Sequence, residues 1–196
     1  MVQSKAIKER ITANGENCLY VVSDFADLEN DSVVTRTLSR LVEENVLVRI
    51  AQGIYLYPLR NRFGIQRPSI DTIAESIAKK SQAQIIPSGL NALNVLGLST
   101  QVPMNAVYIT NGYSRTINVG NRAILFKKAS PKYFSFQSRC FAMIVLAMKE
   151  IGEKNMTQEL LDKILSLVAK ESPESYEHDI RIAPQWIRRM LNSKHI

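Results

Sequence analysis

Apolar residues recur at helical spacing in three successive segments near the start of the chain. Residues 2–13 form the first predicted helix, which ends at Asn14-Gly15. A helix of one to two turns begins at Ser23-Asp24, and a third helix over residues 33–45 follows a break at residues 30–32. The positions of the third helix that would face a core are Val34, Leu38, Leu41 and Val42. The pattern therefore predicts three helices, the third of them amphipathic.

Two β-rich runs follow the third helix. Residues 46–50 and 54–57 are separated by residues 51–53, which predicts a β-hairpin closed by Pro58. The order helix, short helix, helix, β-hairpin is typical of a winged helix-turn-helix. Residues 60–69 are basic, contain Gly and Pro and have little periodicity, so we predict a linker there with a domain boundary near residue 66.

The remaining residues predict a second, mixed domain. Its predicted helices cover residues 70–81, 90–96, 137–151, 156–169 and 182–192, and its predicted strands cover residues 84–86, 107–110, 115–119 and 123–127. Turns at Asn111-Gly112 and Gly120-Asn121 would join the last three strands as hairpins. We therefore expect an α+β protein: a winged helix-turn-helix over residues 1–66, then a basic mixed α/β domain over residues 67–196 with a helical C-terminal tail.

The charge of the chain is unevenly distributed. Residues 1–44 have a net charge of −3, residues 45–149 of +11 and residues 150–196 of −1, within a total of +7. No acidic residue lies between Glu75 and Glu150. A field of one sign over so long a stretch favours a polyanionic partner, either nucleic acid or an acidic protein surface.

Other features argue against export or membrane insertion. No apolar run reaches the roughly 18 residues of a membrane span, and the first 14 residues lack the apolar centre of a signal peptide. The two cysteines, Cys18 and Cys140, are 122 positions apart and have no partner at metal-ligand spacing. We therefore expect a reduced, cytoplasmic protein without a metal or other cofactor.

The third predicted helix has the residue types that recognise DNA. In a helix-turn-helix the second helix enters the major groove, and its N-terminal residues lie nearest the base edges. The face opposite the apolar stripe contains Ser32, Thr35, Arg36, Ser39 and Arg40. We predict that Arg36 contacts a base, that Arg40 contacts a phosphate, and that Arg49 and Gln52 at the hairpin tip contact the adjacent groove or backbone.

Candidate catalytic chemistry is sparse. His178 and His195 lie in the helical tail without a motif around them, so we expect both to be solvated. A Gly-rich phosphate loop and the carboxylate cluster of a two-metal enzyme are both missing from the sequence. An enzyme that modifies nucleic acid through Ser88 or Tyr108 stays open as an alternative, although no residue supplies a base for either.

Three segments carry a family resemblance: residues 86–89 (IPSG), 94–103 (NVLGLSTQVP) and 107–112 (VYITNG). With these residues, the chain resembles the AbiE-type abortive-infection antitoxins, which are the antitoxin half of type IV toxin-antitoxin pairs. The similarity extends from the segment around Phe25 to Trp186, and LGLSTQVP is its most specific part. One departure is the turn after Tyr108, which often contains Thr-Asp-Gly-Pro-Ser in the family and is Thr-Asn-Gly-Tyr-Ser here.

The resemblance implies a winged helix that represses its own operon by binding inverted repeats of operator DNA, and a C-terminal domain that counteracts a nucleotidyltransferase-like toxin. It implies no catalytic activity in the antitoxin itself. We expect the antitoxic surface to include the basic residues Lys79, Lys80, Arg115, Arg122, Lys127, Lys128, Lys132 and Arg139. A palindromic operator would require a homodimer on the DNA.

Two matters stay open at this point. The antitoxin could bind the toxin, reverse its product or only silence its gene. A second function class, a ligand-responsive winged-helix regulator without a toxin partner, also fits the predicted fold.

Overall fold

The computed structural model describes residues 2–28 and 30–192, with no account of the side chains of residues 2 and 3. Within these residues the chain is an α+β protein with eight α-helices and three small β-sheets. Contacts between Cα atoms divide it into two compact units. The first unit extends to Ile77 and includes Ile117–Ala123, and the second contains Ala78–Thr116 and the residues from Ile124 onward. The predicted boundary near residue 66 stays a prediction.

The first unit begins with two helices and a three-stranded antiparallel sheet. Its elements are α1 (Val2–Ala13), β1 (Cys18–Val21), a 3₁₀ turn (Val22–Phe25), α2 (Asp31–Glu43), β2 (Val48–Ala51) and β3 (Ile54–Tyr57). The strand order is β1-β3-β2, so β3 is central and pairs with both neighbours. The short helix predicted from Ser23 is the 3₁₀ turn, and β1 is a strand that the sequence did not predict.

Helix α2 lies against the core of this unit through the predicted stripe. Val34, Leu38 and Leu41 are buried, whereas Val42 is only half-buried at the edge of the cluster. The helix begins two residues before the predicted start because the Asn30 side chain accepts a hydrogen bond from the backbone N–H of Val33 at 3.1 Å. The core consists of Ile7, Ile11, Tyr20, Phe25, Val34, Leu38, Leu41, Leu47 and Tyr55.

The predicted linker is wrong in its first part, because residues 59–66 form a second hairpin. Strands β4 (Leu59–Asn61) and β5 (Gly64–Gln66) pair antiparallel. The Asn61 side chain accepts a hydrogen bond from the Phe63 backbone N–H at 2.9 Å, and Gly64 has φ +112°. These two turn residues stabilise the hairpin. Neither strand has a buried face, so the sequence shows no alternation of apolar and polar residues that would predict the hairpin.

The rest of the chain, most of which belongs to the second unit, contains a four-stranded sheet and six helices. Helix α3 (Ile70–Lys80) spans the division between the units and is followed by β6 (Ile85–Pro87), α4 (Leu90–Val95), β7 (Ala106–Thr110), β8 (Arg115–Val119), β9 (Arg122–Lys128), α5 (Arg139–Ile151), α6 (Gln158–Val168), α7 (Pro173–Ile182) and α8 (Gln185–Asn192). Short 3₁₀ turns lie at Pro131–Phe134 and Glu153–Asn155. The strand order is β6-β7-β9-β8.

The hairpin expected at Asn111-Gly112 does not form. Strand β7 pairs in parallel with β9, and β8 lies beyond β9, so β7 and β8 are not neighbours. The turn residues contact the segment before β6 instead: the Asn111 side chain accepts from the Gln84 backbone N–H at 2.8 Å, and the Thr110 hydroxyl donates to the Gln84 carbonyl at 3.0 Å. Because of these bonds, the chain after β7 does not turn back to form a strand that pairs with β7.

Helix α5 is the buried helix that its apolar run predicted. Phe141, Ile144, Val145 and Met148 lie in a core shared with α6, α7 and α8. Its N-terminus is held by the Asp179 carboxylate, which is fully buried and accepts backbone N–H bonds from Gln137 at 2.8 Å and Ser138 at 2.9 Å. Within the described part of the chain, every helix falls short of the length and apolar character needed to cross a bilayer.

Candidate nucleic-acid interface

The outer face of α2 brings five predicted DNA contacts together. Ser32, Thr35, Arg36, Ser39 and Arg40 are all exposed, opposite the buried stripe of the same helix. A depression of about 370 Å³ lies on this side of the helix, and its lining residues are Val33, Arg36, Thr37, Ser39, Arg40 and Glu43. The helix therefore presents hydroxyl and guanidinium donors on one surface, as direct reading of base edges requires.

The two arginines of α2 differ in their surroundings. The Arg36 side chain makes no hydrogen bond, ion pair or ring contact with any described residue. Arg40 donates to the Ser4 hydroxyl of α1, and its Nε lies 3.5 Å from a Glu44 carboxylate oxygen. Arg36 is thus available to a ligand, whereas the side chain of Arg40 is already engaged within the unit.

An ion pair fixes the segment that precedes α2. The Arg10 guanidinium donates to both Asp27 carboxylate oxygens at 2.7 Å and to the Asp24 carbonyl at 3.0 Å. This bidentate pair raises the pKa of Arg10 and lowers the pKa of Asp27. Asp24 in turn accepts from the Val21 backbone N–H at 2.8 Å. Helix α1, the 3₁₀ turn and the approach to α2 are therefore tied together by charged hydrogen bonds that the sequence analysis missed.

The turn between β2 and β3 presents the predicted wing residues. Arg49 and Gln52 are exposed, and Gly53 has φ +71°, a conformation that glycine adopts without strain. The register shifts between Arg49 and Ala51, so one extra residue bends β2 next to the tip. The Arg49 side chain makes no hydrogen bond, ion pair or ring contact with any described residue, which leaves it available like that of Arg36.

Part of the predicted basic surface lies around one depression of the second unit. The Arg115 guanidinium donates to the Ser81 hydroxyl at 2.8 Å and lies 5.3 Å from the centre of the Phe126 ring. The depression has a volume of about 340 Å³ and is lined by Ala78, Ser81, Gln82, Ala83, Ile85, Thr110, Asn111, Gly112, Tyr113, Arg115 and Phe126. Lys79 and Lys80 directly precede Ser81, and Lys128 is paired in register with Thr110.

The other basic residues are distributed more widely. Lys127 follows Phe126 on β9, and since successive strand residues point to opposite faces, Lys127 and Lys128 do not share a face. Lys132 Nζ lies 5.5 Å from the centroid of the Tyr133 ring, and Arg139 is the first residue of α5. Arg122 belongs to the segment that clusters with the first unit. The eight predicted residues are therefore not one continuous surface.

The residues of the enzyme alternative differ in their exposure. Tyr108 is 1% exposed, and its ring is stacked on Phe126 with the centroids 6.0 Å apart. Ser88 is half-buried and directly follows β6. His178 Nδ1 lies 2.8 Å from Asp179, whereas His195 is outside the described residues. Among residues 2–28 and 30–192, no three His, Cys, Asp or Glu side chains are grouped to hold a metal ion.

The segment LGLSTQVP is an ordered loop after α4. The Asn94 side-chain amide donates to the carbonyl oxygens of Ser99 at 3.4 Å and Gln101 at 3.2 Å. Leu98 packs against the core, whereas Val102 is 70% exposed. The Asn94 amide, the Ser99 hydroxyl, which accepts from the Gln101 backbone N–H at 3.1 Å, and backbone bonds to the Leu93 carbonyl hold the loop locally.

The sequence profile of DUF6088, described as a family of unknown function, matches residues 6–176. The chain belongs to the DUF6088 family. The match covers most of α1, then α2 and both hairpins of the first unit, and extends into α7, so it spans most of both compact units. No curated protein matches the chain.

Proposed function

We propose that this DUF6088 protein binds double-stranded DNA through a winged helix-turn-helix formed by its first unit. The observation that supports this best is the division of α2 into two faces: a stripe buried in the core and an opposite face with exposed hydroxyls and the unengaged Arg36. The element order α1, β1, 3₁₀ turn, α2, β2, β3 agrees with this assignment. In it, α2 enters the major groove and the β2–β3 turn contacts the flanking backbone.

The DNA-binding unit would make the protein a repressor of its own operon. Arg36 can form a bidentate contact with guanine O6 and N7, and Ser32, Thr35 and Ser39 can donate to bases or phosphates. A homodimer would place two copies of α2 on successive major grooves, about 34–36 Å apart, if the operator contains inverted repeats.

We further propose an antitoxin role in a type IV toxin-antitoxin system, active in the cytoplasm and without catalysis by this chain. The support is the resemblance of residues 94–103 together with the acid-free stretch between Glu75 and Glu150. Arg115, Lys79, Lys80 and Lys128 near one depression are the basic residues best placed to meet an anionic partner. The expected partner in function is a nucleotidyltransferase-like toxin.

Fluorescence-anisotropy titration tests the DNA-binding proposal. The labelled duplexes are the DNA upstream of the gene and a scrambled sequence of the same composition, each at two salt concentrations. We expect preference for the upstream duplex by more than about a hundredfold, and loss of that preference in Arg36→Ala. Arg188→Ala, an exposed arginine of α8, is the matched control and is expected to bind like the wild type. Equal affinity for both duplexes in the wild type would contradict a specific repressor.

Co-expression with a toxin encoded beside the gene tests the antitoxin role. Replacing Lys79 and Lys128 together by Glu reverses two exposed charges of the proposed basic surface. We expect growth rescue to be lost while upstream-DNA binding is kept. Full rescue by the folded variant would contradict the basic surface, and a gene neighbourhood without a toxin would favour the ligand-responsive regulator instead.

A further inference from the structure

The β4–β5 hairpin of the first unit is a basic, aromatic-tipped projection. Residues 59–67 (LRNRFGIQR) contain three arginines and no acidic residue. Every residue from Arg60 to Arg67 is exposed, and Phe63 at the tip is 83% exposed. A large aromatic side chain on a hairpin tip gains nothing from folding, because it stays in water. Its presence between arginines therefore points to a binding role.

The tip is organised rather than extended randomly into solvent. The Arg62 guanidinium lies over the Phe63 ring, 4.7 Å from its centroid. The Asn61 side chain accepts the Phe63 backbone N–H, and Gly64 completes the reversal with φ +112°. A cation stacked beside an aromatic ring presents an apolar wedge and a positive charge at the same point.

The base of the hairpin is anchored beside the end of α2. Arg60 donates to the carbonyl oxygen of Asn45, the second residue after α2, at 2.5 Å. Both hairpin strands lie within the first compact unit, as α2 does. A duplex held by α2 would therefore have the hairpin within reach of its flanking backbone.

We propose that the β4–β5 hairpin is a second duplex-DNA contact, in which Arg62 and Arg67 neutralise phosphates and Phe63 enters the minor groove at a base step. This inference rests on the proposed DNA binding by the first unit and adds a contact outside α2 and the β2–β3 turn. Apolar side chains flanked by arginines are the groups that proteins insert between base steps from the minor groove. The absence of acid from Asn45 to Ile70 gives the hairpin the charge that this contact requires.

Three variants of the full chain separate the hairpin from α2. Phe63→Ala is expected to weaken binding to the upstream duplex about tenfold, because the contact between the aromatic ring and the base step is lost. Arg62→Ala/Arg67→Ala is expected to lower the slope of log K against log salt by about 1.8, at about 0.9 per phosphate. Ile65→Thr, a change on the same hairpin that keeps a β-branched residue, is the matched control and is expected to bind like the wild type.

A fluorescent version measures the insertion directly. The chain has a single tryptophan, Trp186, so Trp186→Phe/Phe63→Trp moves the only indole to the hairpin tip. We expect the duplex to quench the tip tryptophan strongly, and to leave Trp186 emission in the wild type unchanged. Circular dichroism of each variant confirms that it is folded.

The outcomes distinguish the hairpin from the proposed function. The hairpin proposal is overturned if the hairpin alanine variants bind with wild-type affinity and salt slope and the duplex does not quench the tip tryptophan. If Arg36→Ala removes specific binding in the same experiments, DNA binding by the winged helix is still supported. If the hairpin variants lose affinity for the upstream duplex and Arg36→Ala does not, the result would support the hairpin contact and overturn α2 as the helix that recognises base edges. Tighter binding to single strands than to the duplex would overturn the minor-groove assignment. If the wild type binds neither duplex, both proposals fall.

Discussion

Removing the Asp179 carboxylate should destabilise the second unit more than any other single polar change. The carboxylate is fully buried, and its two oxygens accept the backbone N–H groups of Gln137 and Ser138 at the N-terminus of α5. It also contacts His178 Nδ1 at 2.8 Å. The positive end of the α5 dipole adds to its stabilisation.

The magnitude follows from the two backbone bonds. A hydrogen bond to a charged group contributes about 1.5–3 kcal/mol, but both N–H groups are only partly buried and water replaces part of the loss. We therefore expect Asp179→Ala to lower the free energy of unfolding by about 2–4 kcal/mol. Asp179→Asn keeps the shape and one acceptor oxygen, and about half of that loss is expected.

Urea unfolding followed by the fluorescence of Trp186 measures this directly, because Trp186 packs at the edge of the core that contains α5. With a urea dependence of about 2 kcal/mol per molar, Asp179→Ala should lower the midpoint by about 1–2 M. Asp162→Ala removes an exposed carboxylate from α6 and should change stability by less than about 0.5 kcal/mol. A wild-type midpoint in Asp179→Ala would refute the assigned role of this carboxylate in holding α5.

Two further predictions concern the first unit. Asn30→Ala removes the cap of α2, whose side chain accepts from Val33 N–H at 3.1 Å, and should lower stability by about 1 kcal/mol in thermal unfolding; an unchanged melting temperature would contradict the cap. The pKa of Asp27 lies below its usual 3.8 because Arg10 donates hydrogen bonds to the carboxylate. The ion pair therefore stabilises the folded protein fully above pH 3.8. This stabilisation is lost as the pH falls through the lower pKa that Asp27 has in the folded state. The difference in unfolding free energy between the wild type and Asp27→Asn, measured by circular dichroism, should therefore shrink below about pH 4, and a difference that is constant with pH would count against the ion pair.

Two of the helices were predictable because the information for them is local, whereas α7 (Pro173–Ile182) was not predicted. The stripe of Val34, Leu38 and Leu41 and the apolar run of α5 each specify a helix with one buried side, and both helices are present where expected. Strands with no simple alternation were missed. In β1 the adjacent residues Leu19 and Tyr20 are both buried, and in β4–β5 nearly every residue is exposed, so neither segment has the period of two that indicates a half-buried strand.

The order of the second sheet could not be obtained from turn residues. Asn111-Gly112 is a strong hairpin signal when the two flanking strands pair. Here Asn111 and Thr110 bind Gln84, and β7 instead takes β9 as its parallel neighbour. Such pairing depends on contacts between residues far apart in sequence, which a local pattern does not contain.

Charge summed along the sequence was also a poor guide to the surface of the first unit. A net charge of −3 over residues 1–44 is unfavourable for DNA binding, and several of those acids are paired within the fold: Asp27 with Arg10, Glu9 with Lys5 and Glu44 with Arg40. Asp24 likewise accepts a backbone N–H bond. Each of the three ion pairs joins an acid to a base of residues 1–44, so the net charge of this segment stays −3 and does not show which cations the fold leaves available to a ligand.

The arginines of the first unit whose side chains form no ion pair with a described residue lie on α2 and on or beside its two hairpins. Arg36, Arg49 and Arg67 have no partner among the described residues, and Arg62 contacts only the ring of its neighbour Phe63. These four arginines are therefore available to phosphates or bases, in a unit where several acids are already paired with bases of the same unit. Each phosphate contact adds about 0.9 to the slope of log K against log salt for duplex binding. That slope therefore measures how many arginines contact phosphates, whereas the net charge of the chain includes ions that are already paired within the fold.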